Sequence, residues 1–255
     1  MSINNKPHLS VIIPVFNEDD FIVQCLDAFA KQTVQPDVIY IIDNNSSDST
    51  ITKAKQYANV KVLREPVQGI CATVKKGFDY AVRHDGLMLR CDADCRPQPN
   101  WIEKVVDLYQ QNEGIVAITG PGVAYETSPL KAALIDWFYM KPYFLFVGLA
   151  MGQPPLFGSN MAISASAWKQ LGTDTHLSSH QDIHDDIDIS YHLNDLGERL
   201  YNPTLLMPMS ARPFRSIAKM NQRYAAGFRS IFIHWPKMAP WNIYRQKIRS
   251  KLGLS

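Results

Sequence analysis

The run that decides the fold is an apolar segment that ends on two carboxylates: Gly86-Leu87-Met88-Leu89-Arg90-Cys91-Asp92-Ala93-Asp94. Its nearly unbroken apolar character is typical of a strand buried on both faces of a parallel sheet. Two carboxylates at i and i+2 beyond a strand can reach one hard cation, and Mg²⁺ or Mn²⁺ prefers such oxygen ligands. The alternative is a solvated turn in which an aspartate caps the next helix.

The sequence on either side of this run alternates between strand and helix patterns. Four further segments have the composition of strands: residues 9–15, 38–42, 60–63 and 115–119. Strands separated by helices predict βαβ units, and therefore an α/β fold whose mostly parallel central sheet is flanked by helices. Ligands bind at the carboxyl ends of the strands in such sheets. Asp43, Asp92 and Asp94 are all expected at that edge.

Two other polar clusters are candidates for chemistry. The side chains of residues 43–50 can hydrogen-bond a base and a ribose, and a polar loop that caps the next helix is the alternative. Asp185 and Asp186 begin a predicted helix, where the macrodipole keeps a carboxylate ionised and suited to act as a base or metal ligand. An ordinary helix N-terminus has the same composition. His180 and His184 are candidate metal ligands, although packed or surface histidines are commoner.

Composition indicates an ordinary globular chain with an uneven distribution of charge. Of 255 residues, 46% are hydrophobic and 20% are charged, which suffices for a sizeable core. Residues 199–255 contain eleven Lys and Arg but no acid, so residues 1–198 carry a net charge of −9. The four cysteines lack zinc-type spacing, which favours reduced thiols. No secretory signal is visible at the start, so we expect a cytoplasmic protein.

The basic tail predicts a polyanionic partner. Its Lys and Arg are interleaved with Phe and Trp, which suits an anionic membrane surface. Residues 130–157 add apolar surface that nucleic acid would not use, so nucleic acid is disfavoured as the partner. Alternatively, this segment forms a core helix or a wall of the acceptor site. Its apolar run, 142–152, is shorter than the roughly 20 residues that span a bilayer. A tail folded on the acidic body is the alternative to peripheral attachment at the cytoplasmic face of the membrane.

The order of these motifs resembles that of family 2 glycosyltransferases with the GT-A fold. The resemblance covers roughly residues 8–205 and rests on five segments: 11–18, 43–50, 92–94, 158–162 and 185–186. It implies a hexosyltransferase-like enzyme that moves a sugar from a nucleotide-diphosphate sugar, usually a UDP-sugar, to a hydroxyl acceptor with inversion. Such a displacement needs one base and one metal ion, and the chain offers candidates for both.

The resemblance also implies roles for single residues. Most of the implied donor-binding residues lie in the first half of the chain: Pro14, Val15, Asn17, Glu18, Asp43, Asn45, Gly69, Lys75, Asp92, Ala93 and Asp94. Asp43 would contact the base, Lys75 a phosphate, and Asp92 the ribose or sugar, while Asp94 would be the main ligand of Mg²⁺ or Mn²⁺. Asp186 would be the catalytic base. The sugar and acceptor side would be formed by Gly158, Ser159, Asn160 and Asp185.

Departures from the family pattern are visible in three motifs. The usual Asp-Asp-Gly-Ser loop is here Asp43-Asn44-Asn45-Ser46, the usual Ala-Arg-Asn segment is Thr73-Val74-Lys75, and the first acid of the Glu-Asp pair is Asp185. The Gln-x-x-Arg-Trp motif of processive members is absent from the sequence. We therefore expect a single transfer per encounter.

These inferences predict a GT-A catalytic domain at residues 1–210, with 8–125 binding the donor and 126–210 facing the acceptor. A basic, aromatic and amphipathic helical extension would follow at 211–255. The expected role is cell-envelope glycan or glycolipid synthesis on a lipid-linked acceptor. A non-catalytic nucleotide-sugar-binding protein is one alternative, but such a protein needs no base. A sugar nucleotidyltransferase is another, but it needs a glycine-rich loop after the first strand, where residues 14–18 contain no glycine.

Overall fold

The computed structural model describes residues 6–180 and 182–251. The strands of this part of the chain are β1 (His8–Val15), β2 (Val38–Asp43), β3 (Val60–Arg64), β4 (Gly86–Arg90), β5 (Ile115–Thr119), β6 (Gly122–Tyr125), β7 (Met161–Ser164), β8 (Glu198–Tyr201) and β9 (Met207–Ser210). Its α-helices are α1 (Ile22–Ala30), α2 (Thr50–Ala54), α3 (Ile70–Ala81), α4 (Trp101–Gln111), α5 (Pro129–Ile135), α6 (Gly148–Met151), α7 (Ala165–Leu171), α8 (Asp185–His192), α9 (Ile217–Phe232) and α10 (Pro240–Lys251).

Seven strands form the central sheet in the order β3-β2-β1-β4-β7-β5-β8, and β6 pairs with β9 in a small second sheet. All neighbours in the central sheet are parallel except β7, which is antiparallel to β4 and β5. Because of this reversal the amino end of β7 pairs with the carboxyl end of β4, Met161 opposite Arg90. The residues just before β7 therefore lie beside the residues just after β4.

The central sheet is buried on both faces, as its apolar strands predict. Leu9, Val11 and Ile13 of β1 point to one face, where they join a cluster that includes residues of α1 and α4. Ile12 of β1 and Ile42 of β2 point to the other face and join a cluster that includes residues of α3. The period-2 alternation of a strand thus supplies two separate cores from one apolar run.

The predicted alternation of strands and helices is confirmed through the first 119 residues. The five predicted strands correspond to β1–β5, and the expected mostly parallel sheet with flanking helices is present. The antiparallel insertion of β7 was not predicted. The helix predicted from residue 185 ends at His192 and continues as a 3₁₀ turn over Leu193–Asp195.

The apolar segment near residue 140 forms one continuous helical stretch, 129–151, in which α5 and α6 flank two π-helical turns at Asp136–Met140 and Tyr143–Val147. Met140 and Met151 are buried, whereas several large apolar side chains of the stretch lie on the surface. Within residues 6–180 and 182–251, no helix combines the length and the apolar character needed to cross a membrane.

The C-terminal helices pack on the rest of the protein. Ser230 of α9 accepts a hydrogen bond at Oγ from the backbone N–H of His184, at 2.7 Å, directly before α8. Ile243 of α10 lies in a small buried cluster with Val147, Met151, Ile187 and Tyr191. The segment predicted as an extension therefore contacts both α8 and the helical stretch 129–151.

Candidate active site

A cleft of 1020 Å³ opens at the carboxyl ends of β1 and β4. One wall carries the residues that follow these strands, among them Glu18, Asp92 and Asp94. The other wall carries Gly158, Ser159 and the start of α8. The cleft thus lies at the edge of the sheet where the carboxylates were expected from the sequence. Ligands generally bind at this edge in parallel α/β sheets.

Arg90, at the end of β4, joins the two walls. Its guanidinium is 3% exposed and pairs with Asp185 on one side and, at 3.1 Å, with Asp92 on the other. Burial alone lowers the pKa of Arg90, but the neighbouring carboxylates raise it above its ordinary value, so the cation persists. Burial raises the pKa of Asp185 to about 6; the charge of Arg90 opposes this rise, and Asp186 adds to it.

Gly158 is the residue that lets the chain pass this cation. A Cβ atom at Gly158 would lie 2.4 Å from Nη1 of Arg90, closer than any real contact allows. The backbone N–H of Gly158 also donates to Oδ2 of Asp186 at 2.8 Å, and the Oγ of Ser159 donates to Oδ2 of Asp92 at 2.6 Å. Residues 158–159 therefore orient one carboxylate from each wall.

A second arginine, Arg212, lies at the mouth of the cleft. Its Nη2 donates to Glu18 at 2.7 Å and to Asp94 at 3.1 Å. Burial is the main cause of a raised pKa at both carboxyls; at Asp94 the charge of Asp92 adds to it, and Arg212 opposes it at both. Arg212 thus balances two carboxylates that water solvates poorly.

The loops after β1 and β2 are held together by polar side chains. Asp43 accepts from the N–H of Ser46 at 2.9 Å, and Asn17 accepts from Ser47. Asn44 is 4% exposed; its amide donates to the carbonyls of residues 65 and 67, and its oxygen accepts from the N–H of Gly69. Asn44 therefore fixes the residue that opens α3, at the edge of the cleft.

The structure brings most, but not all, of the sequence-predicted residues together. Those that line the cleft are Pro14, Val15, Glu18, Gly69, Asp92, Ala93, Asp94, Gly158, Ser159, Asp185 and Asp186. Asp43 ends β2, Asn17 and Asn45 lie in the loops after β1 and β2, and none of the three lines the cleft. Asn160 is fully buried and accepts a hydrogen bond from the indole of Trp101, which gives it a packing position.

Lys75 is the exception on α3. Its ammonium pairs with Asp79, one turn further along the same helix, and Asp79 in turn accepts from the indole of Trp168. Lys75 does not line the cleft. The geometry therefore does not bring this lysine to a phosphate, although the family pattern suggested that contact.

Comparison with known proteins agrees with this geometry. The family model described as glycosyl transferase family 2 matches residues 10–171, more than half of the chain. The protein belongs to glycosyltransferase family 2.

Among curated relatives of this family 2 glycosyltransferase, glycosyltransferase AglE of Haloferax volcanii is 33% identical over 124 residues, which cover 46% of this chain and 37% of AglE. A poly(ribitol-phosphate) beta-glucosyltransferase of Bacillus spizizenii is 35% identical over 83 residues, which cover 32% of this chain and 13% of the relative. The matched part thus spans well under half the length of these relatives.

Solved structures show that the family 2 glycosyltransferase has the GT-A fold. The mannosyltransferase PcManGT from Pyrobaculum calidifontis, in complex with GDP-Man and Mn²⁺, superposes with a TM-score of 0.65 at 16% identity, over 95% of this chain and 70% of that one. Glucosyl-3-phosphoglycerate synthase from Mycobacterium tuberculosis, in complex with Mn²⁺ and UDP, gives 0.57 at 17% identity, over 88% and 80%.

Two arginines that organise the cleft of this family 2 glycosyltransferase, Arg90 and Arg212, were not among the residues predicted from the sequence. Arg90 did carry a signal, because an arginine that closes an apolar strand just before two aspartates needs buried partners. Arg212 carried none beyond the basic composition of its segment. Arg223 and Arg229 of α9 also line the cleft, so the segment 211–255 contributes directly to the site.

Proposed function

We propose that this family 2 glycosyltransferase moves a sugar from a nucleotide-diphosphate sugar, with a UDP-sugar as the favoured donor, to a hydroxyl of its acceptor. One observation carries the proposal. Asp94, suited to hold a cation, and Asp186, suited to act as a base, line the same cleft. A protein that only binds nucleotide sugars has no use for the second carboxylate.

The residues of the cleft fit a divalent cation, and Asp94 fits it better than Asp92. Both carboxylate oxygens of Asp92 already accept hydrogen bonds, from Arg90 and Ser159. Asp94 accepts from Arg212 at Oδ2, and among the described residues no hydrogen bond reaches its Oδ1. Mg²⁺ or Mn²⁺ held there would neutralise the charge that develops on the departing diphosphate. We therefore assign Asp94 to the metal and Asp92 to the ribose or sugar.

Asp186 is the proposed catalytic base. Its Oδ2 accepts from the N–H of Gly158 and its Oδ1 from the N–H of Ile187, both at 2.8 Å. In the proposed step Asp186 takes the proton of the acceptor hydroxyl as that oxygen attacks the anomeric carbon, and the bond from this carbon to the diphosphate oxygen breaks. A single displacement of this kind inverts the anomeric centre.

Thermal-shift measurements with UDP-, GDP- and dTDP-sugars, with and without Mn²⁺, test the donor and the metal. Ligand at about 100 times its Kd stabilises by about 2.7 kcal/mol, which raises the melting temperature by about 5–10 °C. We expect this shift to need Mn²⁺ and to disappear in Asp94→Ala. Asp85→Asn is the control, because Asp85 is exposed and pairs only with Lys169 among the described residues.

Transfer assays separate the enzyme from a mere binder. Asp186→Asn should still bind the donor while transfer falls by roughly 10²–10⁴-fold, the usual contribution of a general base. Normal transfer in this variant would refute the assignment of Asp186. Wild-type protein that binds donor and metal but transfers to no acceptor, water included, would support the non-catalytic alternative instead.

We further propose that the acceptor is lipid-linked and that the enzyme meets it at an anionic membrane surface. The helical stretch 129–151 exposes seven large apolar side chains: Leu130, Leu134, Trp137, Phe138, Leu145, Phe146 and Leu149. Several of them are three or four residues apart, the spacing of neighbours on one side of a helix. Tyr224 of α9 donates to the carbonyl of Phe138 at 3.4 Å, so the basic α9 runs beside this stretch. An apolar cavity of 730 Å³ lies beneath it, lined by Ala132, Met140 and Phe144 among others.

Flotation with anionic and with neutral phospholipid vesicles at low salt tests this proposal. Wild-type protein should float with the anionic vesicles only, since each basic residue near such a surface contributes about 1 kcal/mol. Replacement of Trp137 and Phe138 by serine should reduce flotation. Val67→Ser removes an apolar side chain of similar exposure outside the stretch and should not. Failure of the wild-type protein to float would refute membrane attachment and leave the donor assignments untouched.

A further inference from the structure

A second cluster of ligand-type side chains lies apart from the Asp92 and Asp94 carboxylates. It consists of His176, Asp188, His192 and His234, called here the His–Asp cluster. His176 begins a 3₁₀ turn (His176–Ser178), Asp188 and His192 are one turn apart on α8, and His234 follows α9. One ligand atom from each of the four residues lies within 4.8 Å of the other three.

The hydrogen bonds of His234 fix which of its nitrogens can bind a cation. Its Nδ1 lies 2.7 Å from the backbone carbonyl of Ser230, which can only accept, so Nδ1 carries a proton. In the neutral ring Nε2 then presents a lone pair. This Nε2 is buried, makes no hydrogen bond, and lies 3.3 Å from Oδ1 of Asp188. His234 is only 5% exposed, so bulk water does not offset the repulsion between the lone pair of its Nε2 and those of Oδ1 of Asp188.

The spacing of the cluster matches a tetrahedral metal centre. Metal–ligand bonds of about 2.0–2.1 Å imply ligand–ligand edges of about 3.3 Å. Oδ1 of Asp188 lies 2.8 Å from Nδ1 of His176, 3.3 Å from Nε2 of His234 and 3.5 Å from Nε2 of His192. The His192 Nε2 to His176 Nδ1 distance is 3.3 Å. The remaining two ligand–ligand distances lie within 4.8 Å, so the four atoms are close enough together to bind one ion.

We propose that the His–Asp cluster binds one transition-metal ion of the Zn²⁺ class, separate from the cation of the donor site. Three imidazoles and one carboxylate suit zinc, whereas Mg²⁺ prefers a set made only of oxygens. Asp188 is fully buried and His234 nearly so. Four protein ligands in such surroundings are typical of a structural site, which keeps no position open for substrate.

The position of the cluster gives the metal a structural task. Asp188 and His192 belong to α8, the helix that begins with Asp185 and Asp186, and His234 belongs to the segment after α9. The metal would fasten the C-terminal segment to the helix that carries the proposed base. It would add to contacts that already hold this segment to α8: the hydrogen bond from His184 to Ser230, the packing of Ile243 beside Ile187 and Tyr191, and the stacking of His234 on Tyr191.

Metal analysis of the full chain tests the proposal directly. After exposure to Zn²⁺ and removal of loosely bound ions, wild-type protein should retain about one Zn²⁺ per chain. Replacement of His192 or His234 by alanine should weaken Zn²⁺ binding by at least about tenfold, the loss seen even for outer-shell partners. His84→Ala is the matched control and should retain the ion, because the ring of His84 stacks on that of His8 and neither residue belongs to the cluster.

Two further measurements keep the test independent of folding defects and of the donor site. Co²⁺ taken up by the wild-type protein should show the strong visible absorption of a tetrahedral centre, and Asp94→Ala should leave the zinc content unchanged. Wild-type protein that takes up neither Zn²⁺ nor Co²⁺ would overturn the proposal, and the cluster would then hold protons only. A zinc content that falls in Asp94→Ala but persists in His234→Ala would overturn it as well.

Discussion

Replacement of Arg90 by methionine tests the central electrostatic feature of the cleft. Methionine keeps much of the apolar stem of arginine and removes the guanidinium, so packing changes little while Asp185 loses its cation. The Arg90 and Asp185 side chains are 3% and 7% exposed, and Asp186 lies next to this pair. The variant therefore places two neighbouring carboxyls in a buried region without a balancing charge.

The expected loss follows from this burial. Removal of one partner from a buried ion pair costs about 3–5 kcal/mol, because the remaining group must stay charged without a partner or, here, Asp185 must take up a proton. For a domain of this size that loss lowers the melting temperature by roughly 6–20 °C. Urea denaturation followed by tryptophan fluorescence at neutral pH measures it. Arg83→Met, which removes an exposed arginine, should change the free energy of unfolding by less than about 0.5 kcal/mol.

A double-mutant cycle separates charge from packing. Asp185→Asn in the Arg90→Met background removes the unpaired charge and should restore most of the lost stability, with a coupling energy within the range of about 0.5–3 kcal/mol seen for contacting residues. If Arg90→Met lies within 1 kcal/mol of wild type, or the double variant is no more stable than the single one, water reaches this pair and the account of the cleft is wrong.

Three further outcomes are expected. Gly158→Ala should lower the free energy of unfolding by about 1–3 kcal/mol in urea titrations, because its Cβ meets Arg90; unchanged stability would contradict this. The pKa of Asp185 is raised to about 6, so its contribution to stability is present below about pH 4 and is lost, by up to about 3 kcal/mol, as pH rises through 6; Asp185→Asn should flatten that part of the stability–pH curve. Arg212→Ala should strengthen Mn²⁺ binding in calorimetry, because the guanidinium then no longer competes with Mn²⁺ for Asp94. Weaker binding would show that Arg212 supports the metal site.

The sequence predicted those parts of the fold that depend on local periodicity. Strands β1–β5 followed from apolar runs bounded by polar loops. Asp92 and Asp186, which the resemblance assigns to one site, line the same cleft. The antiparallel β7 could not be predicted, because strand direction depends on how the chain returns to the sheet and not on the pattern within four residues. Asn160 illustrates the same limit, since its buried contact with Trp101 spans 59 residues of sequence.

The arginines show where prediction from a single chain ends. A residue type that is always charged must find partners when buried, so a buried Arg90 indicates a nearby anion but does not identify the residue that supplies it. Asp92 lies two residues further along the chain, but Asp185 is 95 residues away in sequence and becomes a partner of Arg90 only through the tertiary fold. Lys75 illustrates a different limit: the resemblance suggests a phosphate contact, which stays a prediction, whereas in this structure its ammonium pairs with Asp79, one turn away on the same helix.

The basic residues of the C-terminal segment fall into two groups with different surroundings. Arg212 pairs with Glu18 and Asp94, and Arg229 pairs with Asp182, so the first half of the basic segment neutralises acids of the catalytic cleft. Arg245 and Arg249 of α10 are instead exposed. Folding on the acidic body and attachment to a polyanionic surface are therefore not exclusive, because different arginines serve each. In this view a metal ion at the His–Asp cluster would fasten residue 234 to α8, while Ile243 packs α10 on the protein and the exposed arginines of α10 face the proposed membrane surface.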